Sequence, residues 1–484
     1  TKAQGLMSGF TRGFVFLLAL LPAVTVHAEV PAPVAARLAG AGLPEDSLGF
    51  VVLRADTGRP VLAHRPAAAM QPASTLKVLT ALVALDRLGP AWQGRTELVT
   101  AAPVEDGVLQ GDLVLRGGAD PDVGWPEFRR MLLAARNQGI REVAGDFVLD
   151  LGLFTPARLD EGVPAFDETP EFRYNLIPDA LMLGSYLFGL ELASDGTRVS
   201  AAIATPLEGV RLESALVLSD RQCADWEDGW KLPAVERRGG EIVIRLSGDF
   251  PKDCTASTRL NLLDRVEYAD RLFRALWKEL GGTFRGTTRA SFAPGGRVIA
   301  QHRSRLLGEM VRDVNKRSDN PVTRMLYLVL GTTDLLPPGG TTPERAERLV
   351  RDWLKEKGID DAGLVLDNGS GLSRRERIRP ETLAAVLREA RASPWFPEFQ
   401  AALPIAGIDG GVRKRLDRSP AAKRSRLKTG TLRDTSALAG YVVDAAGETL
   451  VFVAMINHPK ATGSVARPIL DALVDHVARM KPAR

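Results

Sequence analysis

The sequence predicts a mixed α/β (α+β) architecture. Both ends of the chain build one unit of antiparallel sheet flanked by helices, and a long middle region is inserted into it. Three observations predict this. Hairpin patterns occur near residue 50 and again near residue 445, amphipathic helical segments accompany them at both ends, and the stretch from about 91 to 290 changes to short strands and turns. At 484 residues the chain is also too long for one ordinary hydrophobic core. Hydrophobic residues make up 45% and charged residues 25%, a globular composition that excludes wholesale disorder.

In chain order, residues 1–28 read as an export signal. Met7, the expected natural start, leads through Arg12 into the apolar run Phe14 to Val24 and a small-residue site at Val26-His27-Ala28, with cleavage expected before Glu29. The apolar run is well short of the roughly twenty residues a spanning helix needs. From Phe50 to His64, two apolar runs around Asp56-Thr57-Gly58 predict a hairpin. Thr75 to Leu88 predicts a helix with Leu76, Leu79, Leu82, Val83 and Leu85 on its apolar face, ended by Gly89-Pro90. Ser74 therefore opens a helix, where free N–H groups and the dipole favour negative charge.

The middle contains strand patterns at Gly111 to Arg116 and Phe147 to Asp150, and a helix near Pro126 to Gln138. Residues 199 to 250 alternate and turn often, which predicts a small β unit. Helix returns at about Leu260 to Leu280 and at Ser304 to Lys316. The tail predicts helices at Thr342 to Lys357 and Pro380 to Arg391, a strand at Arg426 to Leu432, a hairpin of Ser436 to Val443 with Thr449 to Asn457, and a closing helix at Ala466 to Met480. Asp471 and Asp475 make that last helix a docked element rather than a membrane-surface one.

Three short strings lie in order along this frame: Ser74-Thr75-Leu76-Lys77, Ser318-Asp319-Asn320 and Lys428-Thr429-Gly430. A serine needs a base to take its proton, and a lysine one helical turn away supplies one. Ser425-Arg426-Leu427-Lys428 repeats the first pattern, but it precedes a strand, where positions three apart point to opposite faces, so Ser425 is a decoy. Taken singly, the strings read as an N-cap serine, a helix cap and a surface strand. Taken jointly and in this order they describe one serine acyl-transfer site. Ser318 follows Ser74 by 244 positions, far more than one compact catalytic unit requires.

The chain resembles the penicillin-binding protein 4 type of D-alanyl-D-alanine carboxypeptidase/endopeptidase, the low-molecular-mass class C penicillin-binding proteins. The likeness extends beyond the three strings to Gly111 to Pro121, Tyr174 to Leu181, Asp367 to Arg374 and Leu403 to Gly410. It implies a serine β-lactamase/transpeptidase-like domain of residues 29–90 and 291–484, an inserted domain II of 91–198 and 256–290, and an inserted β-rich domain III of 199–255. It also implies an exported, periplasmic peptidase acting on peptidoglycan stem peptides, with β-lactam antibiotics as covalent inhibitors and a homodimer left open.

In the implied mechanism Ser74 is the nucleophile. Lys77 is its base, with a pKa lowered by burial and by the cation of Lys428. Ser318 relays a proton to the leaving amine and Asn320 bonds Lys77 and the substrate backbone. Lys428 and Thr429 hold the terminal carboxylate, while Gly430 lets Thr431 approach, so that the N–H groups of Ser74 and Thr431 form an oxyanion hole. Asp150 and Arg374 match positions lining the family's pocket for the diaminopimelate side chain. Arg433 stands where the family often has glutamine. The rival readings are a serine β-lactamase, which shares the strings, and a non-catalytic peptidoglycan-binding scaffold, which has no need of Lys77 or Lys428.

The remaining composition narrows partners. Without residues 1–28, which carry Lys2 and Arg12 and no acidic residue, the net charge falls from +4 to about +2, giving no basis for nucleic-acid binding. Cys223 and Cys254 predict a single local disulfide in an exported protein. The histidines His64, His302, His458 and His476 sit in no metal-binding pattern, so neither a metal nor a cofactor is expected.

Overall fold

The computed structural model describes residues 30–335 and 337–481. The expected export signal at 1–28 lies outside the described residues.

The central sheet has five antiparallel strands in the order Arg426–Leu432, Thr435–Val443, Thr449–Asn457, Leu48–Arg54, Pro60–His64. Strands from the two chain ends meet where Phe50 lies opposite Ala454. The period of two divides its residues between two layers. Phe50, Val52, Leu438 and Phe452 pack with Val34, Leu470 and Leu473 of the helices Ala32–Gly40 and Gly463–Ala478. On the other face Val51, Ala437, Val453 and Met455 pack with Leu79, Leu82, Leu326 and Leu383. These belong to the helices Lys77–Leu88, Asn320–Leu330 and Pro380–Ala392. Among the described residues no helix is long and apolar enough to cross a membrane.

The fold agrees with the predicted mixed α/β class, with antiparallel sheet and flanking helices. Arg426–Leu432 and Thr449–Asn457 have the bounds the sequence predicts. Asn320–Leu330, buried along nearly its whole length, is a helix that begins inside the second string, in keeping with the helix-cap reading of that string.

Between the two contributions to the central sheet, a five-stranded mixed sheet runs Thr288–Ala290, Phe147–Asp150, Leu113–Gly118, Arg95–Thr100, Arg297–Arg303. The last strand was expected in the catalytic unit, but it pairs antiparallel with Arg95–Thr100. The chain therefore leaves this sheet only at Ser304, whose N–H donates to the Gly94 carbonyl at 3.0 Å. A smaller sheet of Val210–Ser219, Glu241–Pro251 and Trp230–Arg238 shares one apolar cluster with the larger one, from Leu98 to Ile299. Cys223 and Cys254 are joined by a disulfide beside it. The segment 154–182 leaves this body, and Phe154, Leu176, Ala180 and Met182 pack into the cluster that holds the Lys77–Leu88 helix.

Candidate active site

Ser74 sits in a single 3-10 turn, Ala73–Leu76, that runs directly into the helix Lys77–Leu88. The turn is fixed from inside by the Thr75 hydroxyl, which donates to the Pro72 carbonyl at 2.7 Å. Its backbone is pressed between two glycines. A Cβ on Gly371 would lie 1.9 Å from the Ala73 carbonyl oxygen, and one on Gly430 would lie 2.7 Å from that of Pro72 and 3.1 Å from the Ser74 nitrogen. Only glycine permits such an approach.

Lys77 is completely buried. Its Nζ lies 2.9 Å from Ser74 Oγ, 2.6 Å from Asn320 Oδ1 and 2.5 Å from the Ser370 carbonyl oxygen. The Asn320 amide is oriented by its Nδ2, which donates at 3.1 Å to the Tyr174 carbonyl, a group that can only accept. Two of the three partners of Lys77 are thus obligate acceptors. A neutral amine places its two hydrogens on them and turns its lone pair to the Ser74 hydroxyl. Burial drives the Lys77 pKa down to about 7, partly opposed by the charges of Glu376 and Asp319 and assisted by Arg324. Arg324 is a cation the sequence analysis did not name here, and it adds to the mutual repulsion between the Lys77 and Lys428 amines.

Lys428 is equally buried on the strand Arg426–Leu432. Its Nζ donates to Ser318 Oγ at 2.9 Å and to the Thr429 carbonyl at 2.7 Å. Burial pushes it well below its usual value, and the charge of Lys77 adds to this. Ser318 takes a left-handed conformation with φ 58°, uncommon for a residue with a side chain. Asp319 then caps the Asn320–Leu330 helix by accepting from Val322 N–H at 3.0 Å, which places Asn320 at the first helical position. Ser425 is buried just before the strand Arg426–Leu432, its hydroxyl accepts a 3.4 Å bond from Val443 N–H, and Lys428 turns to Ser318 instead.

The cleft over these groups has a volume of about 320 Å³. One lip is Thr431, Leu432 and Arg433, and the other is Phe166, Asp167, Glu168 and Tyr174. With a hydroxyl beside a base poised near neutrality and a second hydroxyl bonded to another buried amine, the arrangement suits nucleophilic acyl transfer.

A model for the D-Ala-D-Ala carboxypeptidase 3 (S13) family matches residues 30–480. The chain belongs to that family. It is 28% identical over 447 residues to a D-alanyl-D-alanine carboxypeptidase of Actinomadura sp. (strain R39), covering 89% of this chain and 81% of that protein. It is 27% identical over 423 residues to the D-alanyl-D-alanine carboxypeptidase DacB of Haemophilus influenzae, covering 86% of each. The crystal structure of penicillin binding protein 4 (dacB) from that organism superposes with a TM-score of 0.75 at 24% identity, over 92% of this chain and 99% of that one.

Within this S13 chain, Ser74, Lys77, Ser318, Asn320, Lys428, Thr429, Gly430 and Thr431 come together in or beneath one cleft, which Arg374 and Arg433 also line. Asp150 does not. It is buried on the strand Phe147–Asp150, accepts from Arg116 Nε at 3.1 Å, and faces a separate cavity of about 220 Å³ with Gly152 and Phe292. The acidic residues that line the cleft are Asp167 and Glu168, neither named in the sequence analysis, and of the two Asp167 is the one fixed by hydrogen bonds. Burial alone would raise its carboxyl. The Tyr174 hydroxyl at 2.5 Å, Thr169 N–H at 3.0 Å and the Asn175 amide at 2.7 Å nevertheless hold it below the usual range. The cue in the sequence is that Asp167 lies seven residues before Tyr174, between Pro164 and Pro170 in a loop bordering the Tyr174 to Leu181 stretch. Arg433 reaches across to Glu168 at 3.4 Å, an exposed pair of little energetic weight, and Arg374 stacks over Phe166 at 5.4 Å.

Proposed function

We propose that the protein is an exported serine peptidase of peptidoglycan. It removes the terminal D-alanine of stem peptides and cleaves D-alanyl-diaminopimelate cross-links through an acyl-enzyme. The observation that carries this reading is the buried Lys77 amine 2.9 Å from Ser74 Oγ with its pKa brought near 7. Ser74 Oγ attacks the carbonyl of the penultimate D-alanine as Lys77 takes its proton. The N–H groups of Ser74 and Thr431 stabilise the oxyanion, for which Gly430 gives the room. Lys428 and Thr429 receive the terminal carboxylate, whose charge restores the Lys428 ammonium against its burial. The proton taken by Lys77 is relayed to the departing amine through Ser318, which is bonded to Lys428, and water then gives its hydroxyl to the acyl group and its proton back to Ser74.

Asp167 and Arg374 replace the expected Asp150 and Arg374 pair as the groups that receive a zwitterionic side chain on the acyl donor, Asp167 taking the ammonium and Arg374 the carboxylate. β-Lactams acylate the same serine, and the Haemophilus protein has been crystallised with one. The periplasm is where such a site meets its substrate.

Digestion of purified monomeric and cross-linked muropeptides by wild type and by Ser74→Ala tests the proposal. Wild type releases D-alanine and separates cross-links, and Ser74→Ala does neither. No release by wild type, or undiminished release by Ser74→Ala, refutes it. Turnover of nitrocefin above roughly one per second would make the protein a β-lactamase instead.

A further inference from the structure

Behind the catalytic cleft lies a second cavity, of about 510 Å³, which shares Phe166, Leu372 and Arg374 with it as a common wall. Its chemistry is unbalanced. Arg265 in its lining is matched by Asp160 at 3.3 Å and Asp179 at 2.9 Å. Among the described residues, by contrast, Arg324, Arg374 and Arg375 each have no carboxylate within 4 Å of their guanidinium nitrogens. Arg324 is held by two long bonds of 3.4 Å to the carbonyls of Asn175 and Leu176, and burial outweighs the attraction of Glu376 and Asp367, bringing its pKa down to about 10. Arg374 has only the face of Phe166, and Arg375 is exposed with its side chain free of bonds among the described residues. Asp367, the other carboxylate of the lining, accepts from the Ser373 hydroxyl at 2.6 Å. Three guanidiniums with no carboxylate in ion-pair contact around one concave surface favour an anion with planar oxygens.

We propose that this cavity is a binding subsite for a carboxylate-bearing peptide residue, the one preceding the diamino residue in the substrate's stem. The inference rests on the peptidase reading, and it explains the shared wall. Once the acyl donor's side chain lies between Asp167 and Arg374, the preceding residue emerges beyond Phe166 and Leu372, toward Arg375 and Arg324. A γ-linked glutamyl residue presents a free α-carboxylate there, and its amidated counterpart presents a carboxamide. The subsite therefore discriminates stems by that one group.

The test uses the full chain and two tetrapeptide products, identical except that this residue carries a carboxylate or a carboxamide, with binding measured by calorimetry. Wild type binds the carboxylate peptide about tenfold more tightly, the lower end of what a charge-assisted bond contributes. Arg375→Gln, on an exposed loop, and separately Arg324→Gln reduce that preference to within about twofold, as loss of one charge partner requires. Equal affinity of wild type for the two peptides overturns the proposal, as does a preference that survives both substitutions. The binding readout needs no turnover. A protein that prefers the carboxylate peptide but releases no D-alanine keeps the subsite and refutes the peptidase, whereas D-alanine release with no preference refutes the subsite alone.

Discussion

Replacing Lys77 by methionine separates the chemical role of this side chain from its structural cost. At pH 7 a lysine with its ordinary pKa of 10.5 would be neutral in roughly one molecule in 3,000, whereas at about 7 it is neutral in half of them. Wild-type kcat/KM for D-alanine release should therefore rise tenfold per pH unit below 7 and level off above it. Lys77→Met should lose about 10² to 10⁴ in rate, the usual contribution of a general base, and lose that limb with it. Stability supplies the second reading. The folded protein holds fewer protons on Lys77 than the unfolded chain between pH 7 and 10.5, so the wild type gains stability as pH rises through that window. The gain is at most about 1.4 kcal/mol per pH unit and roughly 5 kcal/mol in all. Below pH 7 the full cost of the buried ammonium is present, and above 10.5 it has gone. Urea unfolding of wild type and Lys77→Met across pH 6 to 10 measures the difference. A wild-type rate that is flat through pH 7, or a stability difference that does not change with pH, refutes the assignment of a near-neutral lysine.

Other perturbations test the frame around it. Gly371→Ala places a Cβ 1.9 Å from the Ala73 carbonyl at a φ of 78°, and should cost more than about 2 kcal/mol and slow acylation by fluorescent penicillin; unchanged labelling would show that the turn holding Ser74 is not rigid. Asp167→Asn should raise KM about tenfold for stems with a diaminopimelate side chain and leave substrates without a second ammonium unchanged, so an equal effect on both would remove Asp167 from substrate recognition. Cys223→Ser should lower stability by about 2–4 kcal/mol in urea unfolding, from a closed loop of 31 positions. Titration of two free thiols in denatured, unreduced protein would refute the bridge.

The parts of the site that were legible in the sequence are those whose chemistry is local. Ser74 and Lys77 lie one turn apart on the element their own residues encode, and Ser74 is distinguished from its decoy Ser425 by helix against strand geometry alone. Asn320 is legible both as a residue and, with Asp319 before Pro321, as a helix start, whereas the left-handed conformation of Ser318 is announced by no turn residue. Asp150 failed for a different reason. It ends a clear strand, and which cavity that strand end faces is decided by the pairing of Leu113–Gly118 with Phe147–Asp150, which puts Arg116 opposite Asp150. Arg297–Arg303 was misplaced for the same reason: its partner, Arg95–Thr100, lies some 200 positions away. Pairings of that separation leave no mark on the local pattern.

The insertion is also not a separate attachment. Arg173 reaches Asp319 at 2.8 Å, and the Tyr174 carbonyl takes the Asn320 amide, so one loop from the inserted region contacts two residues of the second string. Phe166 and Asp167 of the same segment form a lip over Ser74. Asn320 in turn orients Lys77 through its Oδ1. A change in that loop thus has two routes to the chemistry, by the shape of the cleft and by the direction of the Asn320 amide. Tyr174 contributes its backbone carbonyl, so side-chain substitutions there leave that second route in place. Arg173→Ala loosens the contact at Asp319 instead, and should slow the reaction of Ser74 with a penicillin, which lacks any stem residue for the lip to hold.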